Sequence, residues 1–255
     1  MEVHLVPAFA DNYIYLLRDA ATGKVGVVDP GDAAPVKAAL RERGWSLTHI
    51  FATHHHDDHI GGCTELKAES GATLIGARAD SHRIPGLDIA LDDGDSVTFG
   101  GETAEILSVP GHTRGHVAFW FAGAKALFCG DTLFALGCGR LFEGTPEEMW
   151  GSLTALRRLP DDTAVYCGHE YTLSNARFAV TVDPDNPDLR RRAEAIAAAR
   201  ERGEPTIPFT LGEDKRTNPF LRADDPGVQA AVGLPGADPV RVFAEIRSRK
   251  DHFRG

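Results

Sequence analysis

The sequence predicts an α/β layered fold with a helical region as its C-terminal third. Two observations point there. Up to about residue 168, short β-rich runs alternate with helical stretches; after about residue 170, the strand signals give way to helix caps and prolines. Taken in order, residues 13–17 and 25–28 read as a hairpin turned by Thr22-Gly23-Lys24. Residues 34–43 read as a helix stopped by Gly44, and residues 49–53 as a strand. A helix over 60–70, ended by Gly71, leads to short strands at 73–75, 96–99, 104–109, 117–121 and 126–129. A helix over 146–158 and a strand over 164–167 complete this part. Beyond it, Asn186 caps a helix that Pro187 opens and Gly203 closes, and Asp238-Pro239 starts another that runs to residue 250. The expected division is 1–170 and 171–255.

Composition narrows the function classes. The chain has 255 residues, of which 42% are hydrophobic, enough for a sizeable core. Lys and Arg number 27 against 37 Asp and Glu, a net charge of −10. That balance disfavours nucleic acid or an anionic membrane as a partner, while leaving room for a small anion held by a local basic cluster. There is no basic start followed by an apolar run, and no stretch of 18 apolar residues. Four widely spaced cysteines read as reduced thiols. The expectation is a cytoplasmic, monomeric protein.

The strongest signal is Thr53-His54-His55-His56-Asp57-Asp58-His59. Only one register gives His-x-His-x-Asp-His: His54, His56, Asp58 and His59. At a strand end, His54 and His56 project to one side and can share a metal ion, while Asp58 and His59 can reach a neighbouring position. Imidazole and carboxylate suit zinc or another first-row metal. Three further elements each place a ligand type directly after a strand: Pro110-Gly111-His112, Gly130-Asp131-Thr132 and Cys167-Gly168-His169. His55 and Asp57 fall at the intervening positions, and His116 reads as a residue that orients a ligand or loop. Asp29, in Val28-Asp29-Pro30-Gly31, has two open readings: a plain turn, or a hydrogen-bond partner for a metal-binding histidine.

These motifs and their order resemble the metallo-β-lactamase superfamily. The resemblance implies an αβ/βα four-layer sandwich with a dinuclear site, zinc first, iron or manganese as alternatives. His54, His56 and His112 would hold one ion, Asp58, His59 and His169 the other, and Asp131 would bridge them. A hydroxide held by both ions would be the nucleophile, with Asp58 and Asp131 as the catalytic carboxylates.

Such a centre hydrolyses many bonds, so the substrate is read elsewhere. Gly137-Cys138-Gly139-Arg140-Leu141-Phe142, Pro7 to Tyr13, His169-Glu170-Tyr171-Thr172, Asn218-Pro219-Phe220-Leu221-Arg222 and the ending Arg247-Ser248-Arg249-Lys250-Asp251-His252-Phe253 are similar to the glyoxalase II family. Over essentially the whole chain, that resemblance implies hydrolysis of S-D-lactoylglutathione to D-lactate and glutathione in methylglyoxal detoxification. Arg140, Arg247 and Lys250 would hold the glutathione carboxylates, and Tyr171 its peptide part. Composition alone would instead make residues 247–250 a solvated helix face. Phe142 stands where some members carry Tyr, which removes one hydroxyl contact. The rival on the same fold is a glutathione persulfide dioxygenase using one iron; those proteins are usually shorter, and residues 172–255 argue against it.

Overall fold

A computed structural model describes residues 1–255, which divide into two compact units: Met1–Ser108 with Arg114–Gly130, and Val109–Thr113 with Asp131–Gly255. In the first unit, β1 (Glu2–Ala8), β2 (Asn12–Arg18) and β3 (Val25–Val28) are antiparallel neighbours. After α1 (Ala33–Arg43), β4 (His49–Ala52) joins β3 in parallel. Two short helices follow, α2 (Asp57–Ile60) and α3 (Cys63–Ser70), then β5 (Thr73–Ala77) and β6 (Ile89–Leu91), both parallel to β4. The resulting sheet runs β1 to β6 in sequence order. Strands β7 (Ser96–Phe99), β8 (Glu102–Ser108), β9 (Val117–Phe121) and β10 (Ala126–Gly130) form an antiparallel meander in a second sheet.

The central strands β2 to β5 are buried on both faces, so they are largely apolar instead of alternating. Ile14, Leu16, Val27, Ile50 and Leu74 face Val36 and Leu40 of α1 and Leu66 of α3. Tyr15 and Phe51 face the second sheet, where Phe51 meets Phe119 edge-on at 5.2 Å and Tyr15 meets Phe128 at 5.7 Å. Phe51, Phe99, Phe119, Phe121 and Phe128 have no exposed surface, and each contributes on the order of 2–3 kcal/mol of burial.

The stop expected at Gly44 is present, and a cap not read from the sequence opens the helix. Asp32 caps α1 by accepting from Ala34 N–H, and Gly44 ends it in the left-handed conformation. The helix expected over 60–70 is split at Gly61-Gly62. A Cβ on Gly62 would lie 2.6 Å from Pro30 O and Ala33 N, because the Asp29–Ala33 turn presses on this segment. That close approach carries Asp29 to the histidine loop.

The second unit contains a two-stranded hairpin, β11 (Leu133–Phe134) with β12 (Gly137–Cys138), and α4 (Pro146–Arg157), opened by a reciprocal capping box between Thr145 and Glu148. Then come β13 (Ala164–Cys167), α5 (Thr172–Val182), α6 (Pro187–Glu201), β14 (Phe209–Thr210), α7 (Leu211–Thr217), α8 (Pro226–Ala231) and α9 (Pro239–His252). Asn186-Pro187 and Asp238-Pro239 open α6 and α9 as their sequence predicts. An aromatic chain of Trp150, Phe243, Phe220, Phe178 and Phe253 ties α4, α5 and α9 together at centroid spacings of 5.5–6.3 Å.

Beneath the β11–β12 turn lies a buried polar knot. Asp214 accepts from Leu136 N–H at 2.9 Å, from Arg192 at 2.7 Å and from Asn218 Nδ2 at 2.7 Å. Asn218 also donates to Gly137 O at 3.0 Å. Burial pushes the Asp214 carboxyl up and Arg192 pulls it back. The knot fixes a turn in which Leu136 sits at φ 57°, and so fixes the approach to Cys138 and Arg140.

Candidate metal centre

In the first unit, His54 leaves the end of β4 and its Nε2 meets His56 Nδ1 at 3.1 Å. Proton bookkeeping assigns the His54 tautomer. Thr53 donates its hydroxyl to Asp29 Oδ2 at 2.7 Å, so its oxygen can only accept from His54 Nδ1, 3.0 Å away. His54 Nε2 therefore carries a lone pair. His59 follows the same rule: its Nδ1 donates to Asp29 Oδ2 at 3.1 Å, leaving Nε2 unprotonated and 3.6 Å from Asp58 Oδ2. Asp29 thus orients two histidines at once, which decides between its two sequence readings. Asn12 donates to Asp58 Oδ2 at 3.0 Å and holds that carboxylate by a contact the sequence reading missed. His116 stacks on His54 at 4.5 Å and donates Nδ1–H to Val117 O, so it orients, as expected.

In the second unit, His112, Asp131 and His169 come together. Asp131 Oδ2 lies 3.4 Å from His112 Nε2 and 3.3 Å from His169 Nε2. His112 donates Nδ1–H to Arg140 O at 2.9 Å, which again leaves Nε2 with its lone pair. A Cβ on Gly139 would fall 2.0 Å from Asp131 O, so only glycine lets β12 return this close to the ligand.

In each unit, then, ring nitrogens and carboxylate oxygens converge, and a buried nitrogen and oxygen donor set of this kind suits a first-row divalent metal. The residues fit such an ion.

The residues expected to hold substrate also lie in the second unit. Tyr171 stacks parallel on His169 at 4.7 Å and is 40% exposed. Arg247 is buried: it donates to Cys138 O and to Asp251 Oδ1, both at 2.9 Å, and lies over the Phe220 ring at 5.2 Å. Its Nε is buried and makes no hydrogen bond. Arg140 is exposed, with Nε 3.8 Å from the same Asp251 carboxylate. Lys250 donates to Ser174 O and Oγ. Burial, then Arg247 and Arg140, push its ammonium down to about 8. Three cations around one carboxylate leave a net positive cluster. Arg249, in contrast, pairs with Glu245 on the same helix, as a solvated face would. Phe142 is 62% exposed and packs 5.2 Å from the His112 ring, where a tyrosine hydroxyl would add a polar contact.

Comparison with known proteins places this geometry. Residues 9–169 match the family profile described as the metallo-beta-lactamase superfamily, and residues 170–253 match the one described as hydroxyacylglutathione hydrolase C-terminus. A hydroxyacylglutathione hydrolase of Methylococcus capsulatus is 56% identical over 255 residues, covering 100% of both chains. The chain belongs to the hydroxyacylglutathione hydrolase family. Its fold is the metallo-β-lactamase fold. The crystal structure of ETHE1 from Myxococcus xanthus superposes with a TM-score of 0.67 at 25% identity, covering 98% of each chain. The structure of TTHA1623 in a di-iron-bound form gives 0.60 at 25% identity, over 87% of this chain and 100% of that one. No helix of this family member is long and apolar enough to cross a membrane.

Proposed function

We propose that the chain hydrolyses 2-hydroxyacyl glutathione thioesters, S-D-lactoylglutathione among them, to the hydroxy acid and glutathione. The observation that carries the reading is full-length identity of 56% to a hydroxyacylglutathione hydrolase, matched by acceptor clusters suited to divalent metal. His54, His56 and His112 would hold one ion, Asp58, His59 and His169 the other, with Asp131 bridging. When bound, divalent metal would supply Lewis acidity towards the thioester carbonyl and towards water. Zinc is our first choice; the di-iron form of TTHA1623 supports iron as the alternative.

The protein's own groups do the rest. Asp29 keeps His54 and His59 in the tautomer that offers Nε2, and Asn12 keeps the Asp58 carboxylate turned towards His59. Arg140, Arg247 and Lys250 bind the glutathione carboxylates, and Tyr171 hydrogen-bonds its peptide part. The leaving thiolate, with a pKa near ~8.5, departs without a strong general acid. In this reading residues 1–170 carry the reaction, residues 171–255 supply most of the substrate contacts, and the enzyme is a cytoplasmic monomer.

The direct test is loss of S-D-lactoylglutathione on incubation with purified protein, with zinc, iron and manganese measured on the same sample. Turnover with stoichiometric metal is expected. Inert thioester together with oxygen uptake on glutathione persulfide would replace this reading with the dioxygenase one.

The Lys250 environment adds a pH signature. A lysine held at about 8 is charged at pH 7 and mostly neutral at pH 9, so KM rises across that interval. The expected change is about tenfold, ~1.4 kcal/mol of binding. Lys250→Arg flattens the rise, because arginine stays charged throughout. Steady-state kinetics from pH 7 to 9 on both proteins checks this, and an equal rise in both removes Lys250 from the carboxylate contact.

A further inference from the structure

His55 lies between two proposed metal ligands, and its side chain points away from them into a closed ring of hydrogen bonds. His55 Nδ1 lies 3.1 Å from Asp80 Oδ2. Arg83 donates from Nε and Nη2 to Asp80 Oδ1, and from Nη1 to His55 Nε2 at 3.2 Å. Because Arg83 can only donate, His55 Nε2 is the acceptor and Nδ1 carries the proton given to Asp80. Each of the three contacts that close the ring thus has a defined donor and acceptor. The Asp80 carboxylate has no solvent exposure, and the His55 side chain retains only 17%. Burying a carboxylate is unfavourable unless it is paired and hydrogen-bonded, and here it gains three donors.

The ring also reaches the loop before β9. A Cβ on Gly115 would come within 2.1 Å of Asp80 Oδ1, so that loop lies directly on the carboxylate. The next residue, His116, stacks on His54 at an interplanar angle of 16°. Asp80 therefore fixes the backbone on both sides of His54: at residue 55 through the imidazole, and at residue 115 through close packing.

We propose that Asp80, with Arg83 and His55, is a positioning device that sets the backbone from which His54 and His56 converge their ring nitrogens on a metal ion. This rests on the metal-binding reading above. The chain bends at Thr53 and His54 on leaving β4, and the His55 ring turns to Asp80 while His54 Nε2 and His56 Nδ1 meet at 3.1 Å. Clamping the middle one leaves its two neighbours aimed in one direction. Asp29 does a separate task, holding the His59 ring directly and the His54 ring through the Thr53 hydroxyl, while the Asp80 ring holds the main chain.

The test is zinc affinity, measured by chelator competition on folded protein. His55→Leu unlinks the ring from the histidine loop and leaves the Asp80–Arg83 pair intact. It is expected to weaken one of two zinc equivalents about 10–100-fold, the range found when partners of metal ligands are removed. Excess zinc should restore kcat with KM unchanged, which a general loss of fold would not allow. Asp80→Asn, which keeps the shape and removes the charge, is expected to act in the same direction. Wild-type affinity for both ions in His55→Leu and Asp80→Asn overturns the proposal. Wild-type protein that binds no zinc at all would instead overturn the metal-binding reading beneath it.

Discussion

Asp131→Ala abolishes thioester hydrolysis, with kcat/KM falling at least ~10³-fold, or about 4 kcal/mol of transition-state stabilisation. The expectation follows from where the carboxylate sits. Its Oδ2 stands 3.4 and 3.3 Å from the Nε2 atoms of His112 and His169, so one oxygen is shared by two imidazoles. Alanine leaves their lone pairs without the anionic group that would offset the charge of a bound cation. Metal analysis should find at least one equivalent lost. Asp131→Asn preserves size and removes charge, so it should fall nearly as far; wild-type kinetics in that variant would sink the bridging role.

The second large effect is on stability and lies outside the proposed metal ligands. Asp214→Ala takes the buried carboxylate from Arg192, which is 7% exposed and keeps Thr217 Oγ1 and the more exposed Glu213 as partners, and removes the acceptor for Leu136 N–H and Asn218. Breaking a buried pair from one side costs roughly 3–5 kcal/mol. For a chain of this size each kcal/mol moves the midpoint by about 2–4 °C. Thermal unfolding should therefore come about ten degrees earlier. The double change Asp214→Leu with Arg192→Leu removes both charges and should recover much of the loss. A single variant as stable as the parent would show that the knot contributes little.

The proposed metal ligands are legible in the sequence because their pattern is local. His54 to His59 form one motif at a strand end, and His112, Asp131 and His169 each come just after a strand. The cap signals at Asn186 and Asp238 are equally local, and the helices start there. What escaped depends on partners distant in the chain. Asp80 and Arg83 sit in an unremarkable stretch, and their meaning appears only when His55 folds against them. Asn12 is informative only beside Asp58, 46 residues away. Strand β1 carries Pro7, which argues against a central strand, and it is in fact the edge of its sheet. Helix α5 is rich in Thr, Val and Phe, poor helix formers that packing overrides. Helix 60–70 is divided at Gly61-Gly62, a local breaker pair that the sequence reading passed over, where the Asp29 turn packs closely.

The burial of the cysteines has a chemical consequence. All four are buried free thiols, and burial pushes Cys138 up to about 11 even though Arg247 beside it pulls the other way. Disulfide exchange needs the thiolate, and at pH 7 such a thiol is ionised in about one molecule in ten thousand. The proposed reaction releases glutathione beside the cation cluster to which Cys138 belongs. An exposed thiolate there would trap oxidised glutathione as a mixed disulfide. With Cys138 sealed beneath Arg247, the enzyme should keep working while the surrounding glutathione pool turns from reduced to oxidised.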